Sequence, residues 1–139
     1  MSYESLPQFL AKIDLFEGLS KDTLSDLIER GTTLKVPAGS HVIEQGTHDA
    51  GLQVVLEGSA AAEVNGVVRE PLKVGDYFGE ISMIDGLPRS ATVVAGPEGL
   101  TTFALSALAF EPVVKENPDV AQALLKALTA RIRRLESDN

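Results

Sequence analysis

The stretch Phe78-Gly79-Glu80-Ile81-Ser82-Met83-Ile84-Asp85-Gly86-Leu87-Pro88-Arg89-Ser90-Ala91-Thr92-Val93 decides how the rest of the chain is read. It opens on a glycine and a carboxylate, has an apolar middle, and turns again at Gly86-Leu87-Pro88. It closes on an arginine that leads into an alternating strand. Gly75 and Gly79 bracket Asp76-Tyr77-Phe78, and glycine lets a backbone approach a ligand closely. Residues 79–84 suffice for one short helical turn, whose free N–H groups would face an anion. Glu80 in that turn repels a phosphate but accepts well from a hydroxyl. Arg89 is the only basic residue between Lys73 and Lys115, and its fork of donors matches two phosphate oxygens. Ser90 adds a hydroxyl beside it. The ligand this chemistry implies is small, carries one phosphate and exposes a ribose-like hydroxyl. The same residues also fit a surface turn in which Glu80 and Arg89 pair with each other or with solvent. Bare spacing does not choose between the two.

On the N-terminal side, residues 5–12 predict a short helix starting near Ser5 or Leu6. Ser20 is an N-cap candidate for a helix over Lys21–Arg30, with Leu24, Leu27 and Ile28 at helical spacing and Gly31 as its stop. From Thr32 to about Leu105 the chain predicts short strands cut by Gly and Pro. They are Thr32–Val36, Ser40–Gln45, Gly51–Leu56 ended by Glu57-Gly58, Ala60–Val64, and Val67–Arg69. After the central stretch come Ala91–Ala95, ended by Gly96-Pro97, and Leu100–Leu105. Asn65-Gly66 is a strong hairpin signal. Strands at near-regular spacing predict an antiparallel sandwich or barrel. The tail is helical. Ser106 is an N-cap candidate for a helix to about Glu116, which Pro112 should kink or delay. Asn117-Pro118 restarts a long helix over Asp119–Glu136. Ala121, Leu125, Leu128, Ile132 and Leu135 form a two-heptad seam on it, read either as burial against the strands or as a homodimer coiled coil. Arg131, Arg133 and Arg134 sit near its C-terminus, where the helix dipole favours cations.

The bulk numbers narrow the function classes. A chain of 139 residues, 44% of them hydrophobic, has the size and core content of one domain. A net charge of −8 argues against whole-surface affinity for nucleic acid phosphates. With no cysteine, disulfides, thiolate metal sites and cysteine redox chemistry are excluded. Met1–Lys12 lacks the pattern of a secretory signal, and no window is apolar enough to span a membrane. A cytoplasmic protein is the expectation, and Met1-Ser2-Tyr3 reads as a natural start.

Gly75-Asp76-x-Phe78-Gly79-Glu80-Ile81, followed by Pro88-Arg89-Ser90-Ala91-Thr92-Val93, resembles the phosphate-binding cassette of cyclic nucleotide-binding domains. Such domains occur in protein kinase A regulatory subunits, catabolite activator proteins and gated channels. Leu15-Phe16-x-x-Leu19, Pro37-Ala38-Gly39 with Ile43-x-x-Gly46, and Val54-x-Leu56-x-Gly58 are similar to the family's flanking segments. The resemblance implies a mainly β fold: an antiparallel β-roll or jelly-roll barrel over 32–105, with the cassette at 75–93. N-terminal helices (1–31) and C-terminal helices (106–139) would flank it in a single domain spanning 1–139. It further implies that Glu80 accepts from the ribose 2′-OH and that Arg89 pairs with the exocyclic phosphate oxygens. Gly79, Ser82 and Ser90 would line the phosphate with backbone N–H groups, with Ile81 in the same turn, and the Ser90 hydroxyl would reach the phosphate or the base. The long C-terminal helix would act as lid. It carries no aromatic residue, so Leu124, Leu128, Arg131 or Ile132, or a partner subunit, would cover the base. Ser90 is a weaker guanine signal than threonine, which favours cyclic AMP over cyclic GMP. No cofactor, metal or catalytic residue is implied, and no direct contact with nucleic acid or membrane. The sequence ends at Asn139 without a helix-turn-helix, kinase, cyclase or channel segment, so the output would be a changed surface on the last helix, read by an unknown effector protein.

Two other classes compete. A degenerate domain of this shape would serve only as a protein-interaction module, against which Glu80 and Arg89 both stand intact. A cupin-like metalloenzyme would need clustered ligands. Its only candidates are His41, Glu44 and His48; in a strand His41 and Glu44 point to opposite faces, and His48 lies beyond a turn. Two histidines and no cysteine leave little from which to build a nucleophilic site.

Overall fold

The structure, a computed structural model, describes residues 5–46, 51–79 and 88–137. The chain divides into two compact units: a helical one from residues 1–30 and 109–139, and a β-unit, Gly31–Leu108.

In the helical unit, α1 spans Leu6–Ala11 and α2 spans Lys21–Arg30. Both starts follow from local hydrogen-bond chemistry. Ser5 and Gln8 cap α1 reciprocally, each side chain accepting from the other's backbone N–H at 3.4 Å. Ser20 Oγ accepts from Thr23 N at 3.1 Å, as an N-cap should. α3 (Ala107–Glu116) starts at the boundary between the units and carries Pro112 inside it, so the delayed start that Pro112 suggested does not occur. α4 spans Pro118–Ser137, with Asn117 before it and proline at its first position. The polar side of this unit has one buried junction. Thr23 Oγ1 donates to Asn117 Oδ1 at 3.1 Å, and Asn117 Nδ2 donates to the Val113 carbonyl at 3.0 Å.

The seam expected on α4 is not the buried one. Val120, Leu124 and Ala127 are buried, whereas Leu125 is 60% exposed and Ile132 56% exposed. Both stripes step by four and three residues, so the helix has two neighbouring apolar faces about 100° apart. The reading of the seam as ordinary burial is thereby corrected.

The β-unit is a six-stranded antiparallel sheet in the order β1-β6-β3-β4, with β2 also on β6 and β5 also on β3. Its strands are β1 (Thr32–Val36), β2 (His41–Ile43), β3 (Gly51–Val64), β4 (Val67–Leu72), β5 (Tyr77–Phe78) and β6 (Thr92–Ser106). The β3–β4 hairpin turns at Asn65-Gly66, with φ of 53° and 80°. The sequence split β3 at Glu57-Gly58 and β6 at Gly96 to Gly99, but each is a single strand. The physical reason is a pair of bulges. The β3–β6 register shifts between Val55 and Glu57 and again between Gly58 and Ala60. A Cβ on Gly58 would overlap the Gly99 carbonyl oxygen, and one on Gly96 would overlap Ser59 Oγ. These glycines let two strands press together and bend without ending either. Inward side chains of five strands fill the interior: Ile43, Val55, Ala60, Leu72, Phe78, Val93, Ala95 and Leu100 are all buried in one cluster.

Candidate functional site

The candidate site lies where β5 ends and β6 begins. Asp76 shapes the approach to it. Its Oδ2 accepts from Lys73 N at 2.9 Å, and its carbonyl accepts from Val55 N at 2.8 Å. Phe78 follows, anchored in the apolar interior, and Gly79 comes next with φ of 93°. L-residues rarely adopt that conformation. Space is equally restrictive: a Cβ there would overlap the Gly51 carbonyl oxygen and stand 2.5 Å from Arg89 Nη1. Gly79 is therefore required twice, once by its dihedral and once by the guanidinium beside it.

Arg89 is 4% exposed, the only buried cation among the described residues. Its Nη1 donates to the Gly51 carbonyl at 3.1 Å. The residue has further interactions beyond this bond, and its Nε is buried. Its own carbonyl accepts from Gly46 N at 2.8 Å. Burying a cation is costly unless anions or dipoles surround it. The Gly51 carbonyl offsets part of that cost here, and a guanidinium's planar set of donors is the group suited to a small anion.

Of the predicted ligand residues, the structure brings Gly79 and Arg89 together and leaves Ser90 exposed. Glu80, Ile81 and Ser82, and with them the predicted helical turn over 79–84, lie outside the described residues. Of the predicted lid residues, Leu124 is buried, Leu128 and Arg131 are partly buried, and Ile132 is exposed. Leu124 and Arg131 continue the buried stripe of α4; Leu128 and Ile132 belong to the exposed one.

The reading of His41 and Glu44 is corrected in one respect. β2 ends at Ile43, so Glu44 escapes strand alternation, and His41 Nδ1 lies 3.3 Å from Glu44 Oε1. Both side chains are exposed, and no group of three metal-ligating residues occurs among the described residues. His48 lies outside them.

Sequence reasoning missed Gly51, whose carbonyl holds the arginine. Gly51 sits in a strand start 38 residues before Arg89, and only the fold joins them. It also missed Gln45, whose backbone N–H donates to Thr92 Oγ1 at 2.9 Å. The one available signal was the hydroxyl at Thr92, three residues after the arginine.

Arg89 and the positive-φ Gly79 thus stand side by side where β5 ends and β6 begins in an antiparallel roll. A sequence profile of the cyclic nucleotide-binding domain matches residues 33–117, and the chain belongs to that family. It is 34% identical over 93 residues to a cAMP-dependent protein kinase regulatory subunit of Emericella nidulans, covering 65% of this chain and 22% of the relative. Over 124 residues it is 29% identical to a cyclic nucleotide-gated potassium channel of Rhizobium etli, covering 89% of this chain and 34% of the channel. The chain thus spans between a fifth and about a third of the length of these curated relatives. Among solved structures it resembles the Thermus thermophilus catabolite activator protein (TM-score 0.78, 27% identity), covering 90% of this chain and 61% of that one. No helix among the described residues is long and apolar enough to cross a membrane.

Proposed function

We propose that this chain binds a cyclic nucleotide, cyclic AMP in preference to cyclic GMP, and acts as a cytoplasmic ligand sensor rather than a catalyst. The observation that carries the reading is the buried Arg89 guanidinium set against the side-chain-free face of Gly79. A guanidinium there offers paired donors to the exocyclic phosphate oxygens, and Gly79 leaves room for the guanidinium itself. Glu80 takes the ribose hydroxyl, the backbone of Ser82 and Ser90 adds phosphate donors, and Ile81 belongs to the same ligand set. The preference for cyclic AMP draws on Ser90 in place of threonine and on relatives named as cAMP-dependent. Isothermal titration calorimetry with both nucleotides tests the reading. Binding should vanish in Arg89→Ala and weaken in Glu80→Ala. No heat and no melting shift with either nucleotide at millimolar concentration refutes it, and leaves the protein-interaction module as the better account.

The output element in this proposal is α4, with Leu124, Leu128, Arg131 or Ile132, or a partner subunit, covering the base and an effector protein reading the moved helix. A homodimer through the same helix has its own support. The exposed apolar stripe at Leu125 and Ile132 keeps heptad spacing with Ala121 and Leu128. Sedimentation velocity of the wild type and of Leu125→Glu/Ile132→Glu decides it. A dimer lost in the double variant supports the stripe as the seam, and a wild-type monomer at high micromolar concentration refutes it.

A further inference from the structure

Arg89 is held before any ladder holds it. Residues 88–91 carry no strand pairing, and β6 begins only at Thr92, which pairs with Glu63 of β3. Two backbone groups fix the arginine from either side: Gly46 N on its carbonyl and the Gly51 carbonyl on its guanidinium. The first of these is itself secured by neighbouring contacts. Gln45 N donates to Thr92 Oγ1 at 2.9 Å, so consecutive amides, at 45 and 46, grip Thr92 and Arg89 together. The Gln45 side chain is tied as well. Its Nε2 donates to Asn65 Oδ1 at 3.1 Å, and its Oε1 accepts from Asn65 N at 2.9 Å. Asn65 forms the tip of the β3–β4 hairpin. A continuous set of hydrogen bonds thus runs from the hairpin tip, through Gln45 and the 45–46 backbone, to the main chain of Arg89.

We infer that Gln45 and Thr92 are positioning residues for Arg89. The inference rests on the cyclic nucleotide reading of the site. Thr92 anchors the 45–46 amides to the sheet, and these hold the Arg89 carbonyl, so the guanidinium is presented at a fixed height against Gly79. A phosphate fork works only within a few tenths of an ångström and a narrow range of angle, so a looser main chain costs affinity though no ligand contact is removed. Asn65 extends the dependence to a turn with no part in the cassette. Substitutions at the hairpin tip should therefore be felt at the phosphate.

The test separates the hydroxyl from the fold. Thr92→Val keeps the shape and β-propensity of the strand but removes the acceptor, and it should weaken cyclic AMP binding about tenfold, the scale of one lost hydrogen bond. Thr92→Ser restores the acceptor and should bring affinity back to within about twofold of wild type. In an Arg89→Lys background, whose single ammonium does not need the fork's alignment, Thr92→Val should change affinity less than twofold, an outcome that plain loss of stability would not give. Equal affinity of the wild type and Thr92→Val overturns the inference and leaves the site reading intact. Amide hydrogen exchange in the ligand-free protein gives an independent arm. Thr92→Val should speed exchange at Gly46, and unchanged exchange there overturns the inference even if the protein binds neither nucleotide, the result that would refute the site reading itself.

Discussion

Gly79→Ala is the sharpest perturbation of the site. A Cβ at residue 79 would overlap the Gly51 carbonyl oxygen, lie 3.2 Å from the Gly51 carbonyl carbon and stand 2.5 Å from Arg89 Nη1. The nearest neighbour is backbone at the start of β3, so the obstacle is not one flexible side chain that swings away. An alanine held at positive φ costs about 1–3 kcal/mol. Overpacking against a fixed wall costs about 1–3 kcal/mol more. The sum, about 2–6 kcal/mol, corresponds to a fall in melting temperature of roughly 6–18 °C at about 3 °C per kcal/mol for a chain of this size. Because the guanidinium is one of the two groups pushed aside, cyclic nucleotide affinity should fall as well, by at least about tenfold. Removing the guanidinium relieves only its share of the overlap. Gly79→Ala/Arg89→Ala should therefore melt above the sum of the single effects yet below Arg89→Ala alone. Differential scanning calorimetry of the four proteins reads all of this. A Gly79→Ala protein that melts within about 2 °C of wild type would refute the description of the glycine as wedged between Gly51 and Arg89.

Other substitutions probe separate parts of the molecule. Gly58→Ala meets the Gly99 carbonyl across the β3–β6 bulge, and a loss of about 2–4 kcal/mol in urea melts is expected. Thr23→Val leaves Asn117 Oδ1 without its donor at a buried junction; denaturation should show a loss of about 1–3 kcal/mol, and Thr23→Ser should recover most of it. Gly66→Ala has open space around its Cβ but a φ of 80°, so it should cost about 1–2 kcal/mol, a purely conformational effect visible in melting curves. Arg89→Lys keeps the charge but not the fork, and calorimetry should place its cyclic AMP affinity between those of wild type and Arg89→Ala.

Much of the fold was legible because its signals are local. Ser20 and Ser5 cap the helices that follow them, and Asn65-Gly66 turns the hairpin, because each acts within four residues of itself. Gly58 and Gly96 misled for a physical reason. A glycine that ends a strand and one that permits a bulge look alike until the partner strand is known. The α4 stripe stayed open between burial and a dimer seam because the helix satisfies two apolar stripes at once, and which one is buried depends on what packs there. In the site, Gly79 and Arg89 stood out by residue type and by the resemblance of the motif around them. Gly51, Gln45 and Asn65 did not, since their part is set by backbone carbonyls, amides and a hairpin tip brought in from elsewhere in the chain.

The Thr23–Asn117 hydrogen bond joins residues 94 positions apart and lies in a unit assembled from both ends of the chain. Closing so long a loop costs entropy before any contact repays it. The β3–β4 hairpin can form within microseconds, but the helical unit cannot complete itself until the whole intervening segment has been gathered in. Such late contacts contribute little to the folding barrier's summit and much to the depth of the native well. Loosening this junction should thus leave the rate of folding nearly unchanged and accelerate unfolding, so the lifetime of the helical unit, rather than its speed of assembly, is what Thr23 and Asn117 set.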